Sequence, residues 1–324
     1  MRTTLSTFFA ILISTFAAVN LSAQTFPTKP ITLIVAGPAG STLDVNARVV
    51  ARVWAEKLGQ PVIIENRAGA GGNIAAQTAV NAKPDGYSVL YGTTSTMASN
   101  KWLYKNLAFD PIKDLIPVHG FVVTPLVVLI NADRPEKSLN DLVATAKAQP
   151  DAIRYGSAGV GSLTHLGPEF MQRALDIKFT HVPYNASLAQ IDLIAGRIEI
   201  IFEVPVTAAP LIAAGKVRGL VLLDKERSPA LPNVPSAGEL GHPELILSSW
   251  GGIFAPAATP QPIVGRLAST FGEALKDPVV QKHFETVGSA LFNISGAPFK
   301  KFVDSESARW KDVIEKAGIT VEGK

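Results

Sequence analysis

Ile31-Thr32-Leu33-Ile34-Val35-Ala36-Gly37-Pro38-Ala39-Gly40-Ser41-Thr42-Leu43-Asp44 decides the fold class. An apolar strand, Ile31 to Val35, runs into a Gly/Pro turn and straight out into a helix, which makes a βα unit. Ser41 and Asp44 have the Ser-x-x-Asp spacing of a capping box. Ser41 is therefore expected to accept from the first free amides while Asp44 bonds back to the helix start, placing that start near residue 42. Gly37 and Gly40 leave the loop backbone without bulky side chains in front of it. The remaining amides form a partly positive concavity suited to an anion, and a small carboxylate is the natural guest. A plain strand-to-helix turn would show the same pattern, but a second such turn follows at Tyr155-Gly156-Ser157-Ala158-Gly159-Val160-Gly161-Ser162-Leu163-Thr164-His165.

Residues 1–23 read as a secretory signal: Arg2 supplies the positive n-region, Phe8 to Val19 the apolar h-region, and Leu21-Ser22-Ala23 a cleavage site before Gln24. The apolar run is shorter than the roughly 20 residues needed to span a bilayer. The 324 residues contain no cysteine, so disulfides, thiolate chemistry and a lipid-anchored mature end are excluded; an exported cysteine-free chain reads as bacterial periplasmic. A mature chain of this length favours two domains. The net charge of +3, with no basic run, gives no sign of a nucleic-acid face.

Val45, Val49, Val53, Trp54 and Leu58 fall at helical spacing with Gly59 as the stop. Pro61 to Asn66 is a second strand, and a Gly-rich loop from Arg67 leads to a helix over Ile74 to Ala82. Neither Gly-rich stretch is a dinucleotide fingerprint, because Ile74 and Thr164 stand where glycine is required. Strand Tyr87 to Tyr91 ends in the hydroxyl run Thr93-Thr94-Ser95-Thr96, at the sheet edge where ligands of α/β proteins collect. Phe121 to Ile130 is apolar and broken at Thr124-Pro125, the expected first crossing between domains. Ser138 to Asp141 repeats the capping-box spacing. Strand Ile153 to Tyr155, the second Gly-rich turn and a helix from Leu163 to Leu175 then restate the first unit. Further strands are expected at His181 to Asn185, Ile198 to Phe202 and Val217 to Leu222, with a helix from Ser187 to Ala195. Ser228 to Pro235 is a rigid extended loop. Ser249 to Pro256 returns to the first domain, followed by helices at Pro262 to Leu275, Asp277 to Val287 and Ala297 to Lys316. Trp54 and Trp310 are expected in the core.

Glu65-Asn66-Arg67-Ala68-Gly69-Ala70-Gly71-Gly72-Asn73-Ile74, Pro84-Asp85-Gly86-Tyr87, His181-Val182-Pro183-Tyr184, Arg227-Ser228-Pro229-Ala230-Leu231-Pro232 and Phe254-Ala255-Pro256 together resemble the Bug family of bacterial periplasmic substrate-binding proteins, receptors related to the tripartite tricarboxylate transporter system. The resemblance covers nearly the whole mature chain. It implies an α/β clamshell of the type II periplasmic-binding kind, each domain a mixed sheet flanked by helices, closing on a small organic carboxylate that is presented to membrane permease subunits. The implied domains are 24–124 plus 249–324, and 125–248. Carried onto this chain, the implied ligand-binding residues are Gly37, Pro38, Ala39, Gly40, Ser41 and Asp44 from the first loop and Thr93, Thr94 and Ser95 from the strand end. The second domain adds Ser157, Ala158, Gly159, Ser162, Thr164 and His165, with Tyr184, Asn185 and Glu203 completing the walls. No cofactor, metal or nucleic acid is implied, and a monomer is expected. Two departures stand out. Ala36-Gly37 replaces the family's usual Pro-Phe and Ser41 its second Gly, which should leave space or flexibility over the ligand, for a bulkier guest or a looser grip. Phe202-Glu203 stands where Phe-Asp is common, which could repel a second ligand carboxylate or accept from a ligand amine or hydroxyl.

Two rival readings concern function. Tyr155-Gly156-Ser157-Ala158-Gly159 nearly matches the Gly-x-Ser-x-Gly elbow of a hydrolase, with His165 and His181 as possible bases, but Tyr155 replaces the first glycine and no acid follows in an orienting position. A receptor feeding a membrane sensor kinase would share every feature of a transport receptor. The five histidines show no metal-ligand spacing. Binding is therefore expected to rest on backbone amides, hydroxyls and helix N-termini, not on an arginine clamp.

Overall fold

A computed structural model describes residues 26–184 and 188–321. The first unit is β1 (Ile31–Val35), α1 (Thr42–Leu58), β2 (Val62–Asn66), α2 (Asn73–Val80), β3 (Ser88–Thr93) and the short α3 (Asn100–Leu103). Then β4 (Leu115–Pro125) runs, with only Leu126 between, into β5 (Val127–Asn131). The second unit is α4 (Leu139–Ala148), β6 (Arg154–Ser157), α5 (Leu163–Leu175), β7 (Thr180–Pro183), α6 (Leu188–Ile194), β8 (Ile200–Glu203), α7 (Pro205–Ala213) and β9 (Val217–Leu222). The chain returns through β10 (Ser248–Pro256), α8 (Gln261–Ala274), α9 (Pro278–Thr286), β11 (Ala290–Leu291) and α10 (Gly296–Ala317).

These elements form two mixed sheets, ordered β11-β4-β10-β3-β1-β2 and β7-β6-β8-β5-β9. In each, strands joined through helices pair in parallel (β1 with β2 and β3; β6 with β7 and β8), and the strands that cross between sheets pair antiparallel. Strand β5 is buried on both faces, which is why its sequence is a continuous apolar run without alternation. Where the chain changes sheets, Leu126, Leu223 and Leu247 form a closed ring of backbone bonds: Leu126 N donates to the Leu247 carbonyl (3.3 Å), Leu247 N to Leu223 (2.9 Å) and Leu223 N to Leu126 (2.7 Å). All three side chains are buried, so the two crossings behave as one tied junction.

Helices cover every sheet face. Val50, Val53 and Trp54 of α1 pack with Leu267, Phe271 and Phe284 against Ile31, Leu33 and Val35. The opposite face meets α2 and α10, and this cluster continues under the junction to α4 and α5. Helices α6 and α7 cover the outer face of the second sheet. Trp54 and Trp310 are fully buried, as the helical spacing indicates. The Trp310 indole N–H has no partner among the described residues, whereas Trp54 donates to Thr270 Oγ1 at 3.0 Å. Trp310→Phe should therefore change stability by no more than about 1 kcal/mol, because losing an unsatisfied buried donor offsets the lost ring area. Urea denaturation checks this; a loss above about 3 kcal/mol would show that volume dominates.

The sequence reading needs a few corrections. Strand β3 extends two residues past Tyr91, and β4 begins at Leu115 instead of Phe121, because both pair with β10 along its length. The Ser138–Asp141 capping box forms fully, but the Ser41–Asp44 one does not: Asp44 N donates to Ser41 Oγ (3.4 Å), while the Asp44 carboxylate turns to the amide of Gly40 and not of Ser41.

Candidate functional site

Gly-rich loops leave the C-terminal ends of β1 and β6 and enter α1 and α5. Ser41 caps α1 with φ −69 and ψ 162, and Ser162 caps α5 with φ −67 and ψ 159. In both, the serine hydroxyl accepts from the third helical amide, that of Asp44 in one and His165 in the other. The first two amides of each helix, Thr42 and Leu43 in α1 and Leu163 and Thr164 in α5, have no protein partner among the described residues. Each therefore presents a matched pair of donors at the positive end of a helix longer than three turns.

The rest of each loop is bonded to itself. In the first, the Asp44 carboxylate accepts from Gly40 N (2.8 Å), Arg48 Nε (3.0 Å) and Asn66 Nδ2 (3.0 Å). Asn66 also holds the Gly37 carbonyl (3.1 Å). Arg48, followed by the Gly40 amide, pulls the Asp44 carboxyl down to about 2, so it is a buried fixed anion. An acid so engaged shapes the loop. Gly37 has no room for a side chain, since a Cβ would lie 2.8 Å from Ser41 Oγ, and Gly40 takes φ +80. Pro38, Ala39 and Gly40 are exposed.

The second loop is pinned by two histidines. Ser157, which is buried, bonds through Oγ to His181 Nε2 (2.7 Å) and accepts from Gly159 N (3.1 Å). His165 Nδ1 accepts from Gly161 N (3.0 Å), which requires that nitrogen to be unprotonated. Thr164 Oγ1 accepts from Ala158 N (2.9 Å), and Ser162 Oγ donates to the Gly159 carbonyl (2.7 Å). The imidazoles of His165 and His181 stack with centroids 3.9 Å apart, and Tyr155 stacks on His181 at 4.8 Å. Burial pushes both histidines down to about 4, and for His181 the neighbouring His165 adds to it. Ser157 and His181 do form a Ser–His pair, but an imidazole this weakly basic is a poor proton acceptor at neutral pH. Among the described residues no carboxylate bonds to its other nitrogen.

The remaining residues vary. Thr94 is buried and clips β3 to β10 through Trp250 N (2.8 Å) and O (3.3 Å). Thr93 and Ser95 are half-buried beside it. Tyr184 donates to Asp192 (2.8 Å), and burial, helped by that bond, raises its hydroxyl to about 12. Glu203 accepts from Gln190 (2.9 Å), and burial raises its carboxyl above the ordinary range. Asn185 lies outside the described residues. A cavity of about 240 Å³ opens beside the start of α1, between the first sheet and the β8–α7 junction. Of the residues read from sequence only Thr93 lines it; Thr42, Leu43, Asn46, Tyr91, Val122, Thr124, Val204, Val206, Ser249, Trp250, Val287 and Ser289 make up the rest. Their scatter along the chain left no local signal. Asn66 alone could have been found, from its place at the end of β2. Among the described residues no cluster of His, Asp or Glu is arranged for a metal, and no helix is long and apolar enough to cross a membrane.

Comparison with known proteins places these features. Residues 46–319 match the model of the tripartite tricarboxylate transporter family receptor. Protein BugT of Bordetella pertussis is 33% identical over 94% of this chain and 94% of its own. Among solved structures, a R. palustris protein with adipate superposes with TM-score 0.78 at 31% identity, covering 91% of this chain and 99% of that one. MatC from Rhodopseudomonas palustris with bound malate gives 0.73 at 31% identity, over 89% and 100%. The chain therefore belongs to the tripartite tricarboxylate transporter receptor family, whose members are periplasmic solute-binding proteins.

Proposed function

We propose that this chain is exported to the periplasm through residues 1–23, holds a small organic carboxylate between two lobes, and hands it unchanged to the permease subunits of a tripartite transporter. The lobes are 24–124 with 249–324, and 125–248, acting as a monomer. The observation that supports this reading is the pair of helix starts, each with two free amides and a serine cap, on loops already braced by their own hydrogen bonds. Such donors lose little freedom when an anion arrives, and closure over it strengthens them by excluding water. In this reading Gly37, Pro38, Ala39, Gly40 and Ser41 form one wall and Ala158, Gly159, Ser162 and Thr164 the other. Thr93, Ser95, Tyr184, Asn185 and Glu203 border the solute, while Asp44, Thr94, Ser157 and His165 hold the walls in place. No turnover is expected. The relatives solved with adipate and malate are consistent with a carboxylate guest.

Thr42→Pro tests this. Proline is accepted at the first helical position, and Ser41 already has the extended backbone that a following proline demands. The substitution deletes one proposed donor and leaves the helix intact. Ligand-free stability should stay within about 0.5 kcal/mol, while affinity for whichever carboxylate raises the melting temperature in a screen should fall about tenfold to a hundredfold, the worth of one hydrogen bond to a charge. Thr42→Ala keeps the amide and should bind within about threefold of the parent. Equal binding by the proline variant would remove this helix start from the site.

A further inference from the structure

The 240 Å³ cavity at the mouth of α1 has a composition that selects among carboxylates. Its walls are chiefly apolar, from Leu43, Val122, Val204, Val206, Trp250 and Val287. Several of the polar groups around it are paired, although the hydroxyls of Thr42 and Ser249 have no partner among the described residues. Thr124 Oγ1 bonds to Ser289 Oγ (2.8 Å), Asn46 Oδ1 to His283 Nε2 (2.9 Å), and Thr93 Oγ1 lies against Thr96 Oγ1 (3.4 Å). Among the described residues no Lys, Arg, Asp or Glu lines it. The amides of Thr42 and Leu43 beside it also have no partner among the described residues. The chamber therefore offers a helix N-terminus for negative charge beside Thr42 and Leu43 and, elsewhere on its walls, neutral groups only.

We infer that the solute is a monocarboxylate with an uncharged, largely apolar body, its head on the α1 amides and its body in this chamber. The inference rests on the function proposed above. The volume equals about eight waters at ~30 Å³ each, enough for an aromatic ring or a six-carbon chain. A second carboxylate pushed inward would lose hydration and meet only neutral hydroxyls, with no cation to offset its charge, a cost of several kcal/mol. The chemistry thus separates this chain from a dicarboxylate receptor.

Calorimetry on the mature protein with matched probes decides it: hexanoate against adipate, and 4-methylbenzoate against terephthalate. Each monoacid should bind at least tenfold tighter than its diacid. Val206→Lys, on the partly exposed rim of the chamber, supplies the missing cation and should shift the hexanoate-to-adipate ratio at least tenfold toward adipate, with the melting temperature reporting that the variant is folded. Diacids binding as well as or better than monoacids would overturn the inference while leaving the carboxylate-receptor function intact. An unchanged ratio in folded Val206→Lys would overturn the placement of the body in this chamber. If none of the four probes, nor malate, bound, the proposed function would itself fall, and the inference with it.

Discussion

Glu306→Ala is expected to lower the unfolding free energy by about 2–4 kcal/mol, with the urea midpoint falling and the slope unchanged. Glu306 is buried on α10, accepts the Trp250 indole N–H at 2.9 Å and is approached by Arg309 at 3.4 Å. Arg309 reaches on to the Ile246 carbonyl (2.6 Å) and lies 4.4 Å over the ring of Phe170. The carboxylate thus joins β10, α10 and α5 beside the junction where the chain changes sheets. Alanine would strand a buried indole donor and remove the counter-charge of a partly buried guanidinium, and both losses act in one direction. Glu306→Gln keeps an acceptor for the indole and should lose only about half as much. A loss below about 0.5 kcal/mol for the alanine variant would show that water or rearrangement replaces the carboxylate.

Acid should release the solute before it unfolds the protein. The second loop depends on two neutral imidazoles: a proton on His165 Nδ1 would face the Gly161 N–H, and a second proton on His181 would place two cations with centroids 3.9 Å apart. Their neighbours are Tyr155, stacked on His181, and Glu169, which accepts the Tyr155 hydroxyl at 2.7 Å and acts on His181 in the opposite, pKa-raising direction. Both histidines are lowered from 6.5 to about 4, so the folded state binds fewer protons than the unfolded chain in that window. Their contribution to stability is complete above about pH 6.5 and is lost as pH falls toward 4. The loss is on the order of 2 kcal/mol for the pair, discounted for the partial exposure of His181. Affinity measured by calorimetry between pH 7.5 and 4.5 should fall more than tenfold toward the acid end. His165→Asn places an oxygen where Nδ1 accepts, so it should bind at neutral pH with a flatter acid limb. A variant as acid-sensitive as the parent would assign the fall to another group.

Much of the candidate site was legible, but legible as location. The second Gly-rich turn was found because a strand, a run of small residues and a serine three positions before the first buried helical residue repeat the pattern at 31–44. The roles were less legible. Ser157 and Asp44 look like ligand contacts by position, yet one hydroxyl is buried against a histidine 24 residues on and the other residue's carboxylate is bonded to Asn66, 22 residues on. Both pairings follow from parallel neighbours, β6 with β7 and β1 with β2, which bring the end of one strand beside the end of the next.

By itself the sequence determined the order of βα units, the serine caps, the helix limits to within about a residue or two, and the buried tryptophans. Caps and apolar periodicity act between residues a few positions apart, and that information is local. Only the tertiary structure decided which amides are left free, which acids and hydroxyls are engaged inside the loops, and that a chamber without a cation stands beside α1. Those outcomes depend on bringing residues as distant as Thr42 and Ser289 to the walls of one cavity, fixed by strand register and by how two sheets meet at Leu126, Leu223 and Leu247.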